Sequence, residues 1–184
     1  MTFIVALFGN LTHYPKIIRR MSEQAPTLRP VEGLDPTDRT IVGALLADAR
    51  IPNARLAALA GIAPSTCLER VRALRRRGVL RGFHADLDPS AVGYGLQAMI
   101  AVRLAAHTRE QIESFTDHVR VLPRVLTIFH MTGETDYLLH VVARDAHDLR
   151  EFVIEHLASD PAVAHAQTSL IYEQRSGPGI PLSE

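Results

Sequence analysis

The chain has 184 residues, 47% of them hydrophobic, and its 20 basic and 20 acidic side chains give a net charge of zero. That length can bury a sizeable core and leaves room for two small domains, while a single cysteine, Cys67, excludes an internal disulfide framework. The charge is unevenly placed: residues 34–88 carry nine arginines against six acids, and residues 89–184 carry seven against twelve. The first half of the folded region therefore suits a polyanion, and the acidic half needs another task.

Residues 1–20 open with an apolar run, Phe3 to Phe8, followed by Lys16, Arg19 and Arg20. A secretory signal puts its positive charge before the apolar run, and this run is far short of the roughly 20 residues of a membrane span. The polar stretch after Met21 makes Met21 the expected natural start, with residues 1–33 an extension or linker that is partly disordered. No other stretch is apolar enough to cross a membrane, so a cytoplasmic protein is expected.

The first strong helix signal is Asp35-Pro36-Thr37-Asp38, with Asp35 as cap and Pro36 in the first turn. Ile41, Val42, Leu45, Leu46 and Ala49 follow as an apolar stripe. Asn53 can cap a second, short helix carrying Leu56, Leu59 and Ala60, after which Gly61 supplies a tight turn. Residues 61–81 hold six arginines against one acid, Glu69. Helical spacing puts Cys67, Val71 and Leu74 on one side and Ser65, Glu69, Arg72 and Arg76 on the other. The short side chains at the start of that outer face suit a DNA major groove, and its arginine-rich end suits phosphates. Ser65, Thr66 and Glu69 are the candidates for base edges, with Arg70, Arg72 and Arg76 as the further DNA-binding residues. A plain helical hairpin with a solvated arginine face is the competing account. Past Gly78, the alternation of Val-Leu-Arg-Gly-Phe-His-Ala-Asp-Leu-Asp predicts a short ribbon and hence a winged helix-turn-helix over residues 34–88.

Residues 88–95 break the periodicity as a connection. Leu96 to Ala105 alternates as a strand, Thr108 to Gln111 is a capping box opening a helix through Ile112, Phe115, Val119 and Leu122, and Pro123 ends it. Val125 to Thr132 and Asp136 to Ala143 form a hairpin around Gly133-Glu134 read as a two-residue loop, pairing His130 with Tyr137 and His140 with Thr127. Asp145 caps a helix buried through Leu149, Phe152, Val153 and Leu157, and Val163 to Tyr172 is the last strand before a loose tail at 174–184. The order strand, helix, strand, strand, helix, strand is ferredoxin-like, an α+β unit at 96–173. Leu138, Val142, Leu126 and Ile128 lie opposite Tyr137, Leu139, Val141, Phe129 and Met131 in this reading. Both faces of the sheet are then apolar, and helices cover only one, so a homodimer or higher homo-oligomer is expected. The nine histidines include no His-x-x-x-His pair and the chain has no cysteine cluster, so neither a metal site nor another cofactor is expected.

Several stretches together resemble the Lrp/AsnC family of leucine-responsive and asparagine-responsive regulators. They are Leu34 to Asp38, Ala63 to Val71, Gly78 to Phe83, Thr132-Gly133-Glu134-Thr135-Asp136-Tyr137-Leu138-Leu139, and Pro161-Ala162-Val163 followed by Thr168. The resemblance implies a transcription regulator that binds double-stranded DNA. Its carboxy-terminal domain would dimerise and assemble further, binding a small effector, usually an amino acid, between dimers near the second hairpin. Gly133 and Asp136 match the family's Gly-x-x-Asp motif, with Glu134 between them, and Thr168 matches a threonine of the last strand; these four are the candidate effector residues. Ala162 departs from the small glycine common at its position. The alternative is an enzyme of siroheme-decarboxylase type, which resembles the same two-domain architecture, although an enzyme has no need of five arginines between residues 70 and 77.

Overall fold

The computed structural model of the chain describes residues 33–182. The apolar run Phe3 to Phe8 and the suggested start at Met21 lie outside them. The described residues divide into two units, one ending at Phe83 and including Leu182, the other running from His84 to Pro181.

The first unit is three helices, α1 (Pro36–Ala47), α2 (Asn53–Ala60) and α3 (Pro64–Arg76). Asp35 caps α1, its carboxylate accepting the Asp38 amide at 2.7 Å. Ile41, Val42, Leu45, Leu56, Ala57, Cys67 and Leu74 close the core. Leu46 and Leu59, expected in the stripe, are instead 64% and 56% exposed. Helix geometry explains both. At about 100° per residue the buried groups of α1 and α2 centre between adjacent residues, and Leu46 and Leu59 fall about a quarter turn or more outside those centres. Ala49 lies past the end of α1. Asn53 is not a cap either: Pro52 holds that position, and the Asn53 side-chain Nδ2 donates to the Pro64 carbonyl at 2.8 Å, fastening the start of α2 to the start of α3.

Gly61 and Gly78 both adopt left-handed backbone, φ 66° and 75°, which only glycine tolerates without strain. Gly61 makes the turn into α3 and Gly78 reverses the chain after it. The Val79 and Leu80 amides then return to the Leu74 carbonyl. The expected ribbon does not form; residues 81–88 contain no strand. One alternating segment is not a ribbon until a second supplies its hydrogen bonds, and no described residue does so.

The second unit begins with a single 3-10 turn, Pro89–Val92, capped by Asp88. It continues β1 (Leu96–Leu104), α4 (Arg109–Arg120), β2 (Val125–His130), β3 (Tyr137–Ala143), α5 (Ala146–Val153), a π-helical turn at Ile154–Ala158, and β4 (Val163–Leu170). The sheet is antiparallel in the order β2-β3-β1-β4, the ferredoxin-like arrangement. Thr108 and Asp145 cap the two helices as expected. Phe115, Val119, Leu149, Phe152 and Leu157 pack on Ala98, Ile100, Val102, Tyr137, Leu139 and Val141. Tyr137 anchors this core: its ring is fully buried, stacks on His130 at 4.5 Å, and its hydroxyl shares a 2.8 Å hydrogen bond with Thr116. Burial pushes its phenol above the usual tyrosine value.

The hairpin register is the expected one, His130 with Tyr137 and Thr127 with His140. Its loop is longer than two residues, since the ladder closes with Met131 donating to the Asp136 carbonyl, leaving 132–135 outside it. The register also exchanges two side chains: Ile128 opposes Leu139 on the helix-covered face, and Phe129 opposes Leu138 on the open one. A break in register between Val125 and Thr127 shifts the alternation there.

Asp148 ties β2 and β3 to α5. Its carboxylate receives the Arg144 guanidinium and amide at 2.8 and 3.0 Å and the Arg124 guanidinium at 2.8 Å, while Arg124 also lies 5.1 Å over the Phe152 ring. The Arg144 contacts first, then Arg124, hold its carboxyl well below the usual carboxylate range. A carboxyl depressed in the folded state stabilises above its unfolded value of about 3.9, and that stability is lost as pH falls through the folded value. Asp148→Asn should therefore lower Tm at pH 7 and flatten the decline of Tm below about pH 4, as measured by circular dichroism melts across a pH series.

Candidate nucleic-acid interface and effector hairpin

The structure sorts the arginines of α3 into two sets. Arg70 and Arg77, seven residues apart on one face, turn back to α1: Arg70 pairs with Asp35 at 2.6 Å and Asp38 at 2.8 Å, and Arg77 with Asp38 at 3.4 Å. Asp38 is buried, so these guanidiniums also satisfy a carboxylate that would otherwise lack compensation. Arg70, expected on phosphates, is thus a clamp between α1 and α3. Arg72 and Arg76 lie on the outer face, where Arg72 meets Glu69 at 2.7 Å with both side chains solvent-accessible. Ser65 and Thr66 stand exposed in the first turn of α3. Arg72, Arg75, Arg76, Leu80 and Arg81 line a concavity of about 400 Å³. The outer face of α3 therefore offers small polar groups at its start and a strong positive charge at its end.

In the second unit the candidate effector residues stand in different surroundings. Gly133 has φ 114° and sits exposed in the loop with Glu134. Asp136 is only 9% exposed, and both its carboxylate oxygens are engaged, one by the Leu104 amide at 2.8 Å and the other by His107 Nε2 at 2.9 Å. Its own amide donates to Val102. The carboxylate joins the hairpin to the end of β1 and to the segment leading into α4. His107 had no motif to announce it and was not anticipated. Thr168 is exposed on β4 opposite Ile100, across β1 from β3, so one chain alone does not gather it against Asp136. The second concavity, about 280 Å³, is lined by Leu87, Pro89, Val92, Tyr94 and neighbours rather than by the hairpin loop.

Among the described residues no group of three or more His, Cys, Asp or Glu side chains could hold a metal ion, and no helix is long and apolar enough to cross a membrane. A three-helix unit with a glycine turn before an arginine-rich helix, joined to a βαββαβ unit, is the architecture of a helix-turn-helix DNA-binding regulator with its own ligand-binding domain. Comparison with known proteins agrees. The AsnC-type helix-turn-helix domain matches residues 34–75 and the Lrp/AsnC ligand binding domain matches residues 97–178. The chain belongs to the Lrp/AsnC family of transcriptional regulators.

It is 54% identical over 144 residues to the HTH-type transcriptional regulator AldR of Mycolicibacterium smegmatis, covering 78% of this chain and 84% of that protein. It is 32% identical over 146 residues to the leucine-responsive regulatory protein of Escherichia coli, covering 79% and 89%. The crystal structure of AldR from Mycobacterium tuberculosis matches with TM-score 0.72 and 44% identity, over 83% of this chain and 100% of that one. A Neisseria meningitidis transcriptional regulator, crystallised as an L-methionine complex, matches with TM-score 0.74 and 36% identity, over 81% and 97%.

Three substitutions at two positions test the structural roles just described. Arg70→Ala should lower Tm while leaving the salt dependence of DNA binding unchanged. Asp136→Ala strands the buried Leu104 amide and should cost about 1–3 kcal/mol in urea denaturation, whereas Asp136→Asn, which keeps an acceptor oxygen, should cost less.

Proposed function

We propose that this regulator reads its operators through Ser65, Thr66 and Glu69, is held on the DNA backbone by Arg72 and Arg76, and answers to an amino acid bound at the 133–136 hairpin. The observation that carries the DNA reading is the outer face of α3: short exposed polar side chains in its first turn, guanidiniums beyond them, and a buried opposite face that fixes the helix in place. For the effector, Gly133 at φ 114° can turn loop amides toward a carboxylate. Asp136 supplies a fixed negative charge for an ammonium group, each oxygen retaining lone-pair capacity beyond its one hydrogen bond. The L-methionine bound to the Neisseria relative supports an amino acid as the class of ligand.

The protein works as a homodimer or higher assembly in the cytoplasm, and its function is regulatory rather than enzymatic. The open sheet face supports the assembly. Met99, Ala101, Leu138 and the 47%-exposed Phe129 form an apolar centre, with Arg103, His165 and Gln167 around it. His140 on that face is half-buried, bonded to Gln97 at 2.9 Å, and burial pushes its imidazole below the usual value, favouring the neutral form. Thr168, set apart from Asp136 in one chain, joins the effector site in the assembly.

Calorimetric titration of the twenty amino acids, L-methionine among them, tests the effector reading. At least one should bind, and Asp136→Asn should weaken it roughly 30-fold to 150-fold, the range for losing a charge-assisted hydrogen bond of about 2–3 kcal/mol. Fold and effector-free DNA affinity should be kept. On the DNA side, Ser65→Ala should change the ranking of operators selected from a random pool. Arg76→Ala should weaken all sequences alike, with a salt slope smaller by about one unit.

A further inference from the structure

The concavity at the end of α3 is built by the backbone as well as by its arginines. Arg72 and Arg76 are four residues apart and Arg75 is three from Arg72, so all three can border one stretch of helix surface. Gly78, with φ 75°, then turns the chain back, and the Leu80 amide donates to the Leu74 carbonyl at 3.3 Å. That return brings Leu80 and Arg81 to the border of the same shallow, open concavity. Four guanidinium-bearing residues thus border about 400 Å³ of space.

The acids of this unit neutralise it only at Arg72. Asp35 and Asp38 go to Arg70 and Arg77, and Glu69 goes to Arg72. Among the described residues no acid pairs with Arg75, Arg76 or Arg81. Favourable interaction with the carboxyl end of α3 accounts for Arg75 and Arg76 in the last turn, but not for Arg81 beyond it or for the convergence of all four on one concavity. Like charges gathered in a net-neutral chain repel one another unless a polyanion joins them, and guanidinium forks match phosphate oxygens in pairs.

We propose that this concavity is a phosphodiester seat in which Arg75 and Arg81, with Arg72 and Arg76, grip the DNA backbone whatever the base sequence. It rests on α3 being the helix that faces DNA and adds two residues and a location to that reading. Arg70 and Arg77, bound to α1, take no part. The backbone grip is then concentrated at the end of α3 and the segment after Gly78, leaving its first turn to the bases.

The test uses the full chain and two duplexes of unrelated sequence, with binding followed by fluorescence anisotropy across a salt series. Arg75→Gln with Arg81→Gln should lower the slope of log K against log salt by about 1.8 units on both duplexes, about 0.9 for each phosphate no longer neutralised. Arg150→Gln, a charge loss in the other unit, should leave it unchanged. Arg75→Lys with Arg81→Lys should restore most of the slope, since counterion release follows charge. An unchanged slope in the glutamine pair, a loss confined to one duplex, or a loss that the lysine pair shares although melting curves show it folded would each overturn the seat. Ser65→Ala separates the two levels. If it still alters operator preference while the glutamine pair does nothing, the seat fails and α3 remains the reading helix; if both are inert, the assignment of α3 falls too.

Discussion

The carboxylate of Asp38 decides what the DNA-binding unit can do. It is buried near the start of α1 and takes both Arg70 and Arg77, the two arginines of the α3 stretch that share its face. A buried carboxylate without partners is strongly unfavourable, so the pairing follows from packing α1 against α3. It also divides the arginines of this stretch. Once those two guanidiniums are spoken for, Arg72, Arg75, Arg76 and Arg81 remain turned to the concavity. One interaction thus fixes α3 against α1 and separates the arginines held in the fold from those proposed to meet DNA.

Asp136 plays the corresponding part in the second unit, where the fold and the proposed sensing draw on the same atoms. Its oxygens hold the Leu104 amide and His107, so the loop carrying Gly133 is fixed to β1 and to the approach of α4. An effector ammonium reaching this carboxylate meets a group already oriented, which lowers the ordering cost of binding. It also meets a group whose removal loosens two neighbouring segments. Alanine at 136 therefore mixes a structural loss with a binding loss, and only the amide variant, similar in shape and lacking the charge, separates them.

Much of this was legible from local chemistry. Asp35, Thr108 and Asp145 announced helix starts because capping depends on a few adjacent residues, and the His130–Tyr137 register followed from alternation about a glycine turn. What escaped depends on distant partners. Nothing near Arg70 reveals that Asp35 and Asp38 will claim it from more than thirty residues away. The stretch 79–88 alternates as a strand would, yet alternation cannot say whether a second strand is present to pair with it. Nothing in the sequence beside Asp136 shows that it is buried; its partners are β1 and His107, which lie 29 and more residues back in the chain.

The neutral total charge sharpens the importance of where charge is placed. At physiological ionic strength a charge is screened over about 8 Å, so net charge does little to hold this chain on DNA once it has arrived. The acidic excess of residues 89–184 neither helps nor strongly opposes contacts beyond that distance. Affinity for the backbone must therefore come from guanidiniums brought within direct reach of phosphates. The clamp at Asp38 and the turn at Gly78 leave Arg72, Arg75, Arg76 and Arg81 grouped for the proposed contact, in a sequence whose overall balance gives no sign of it.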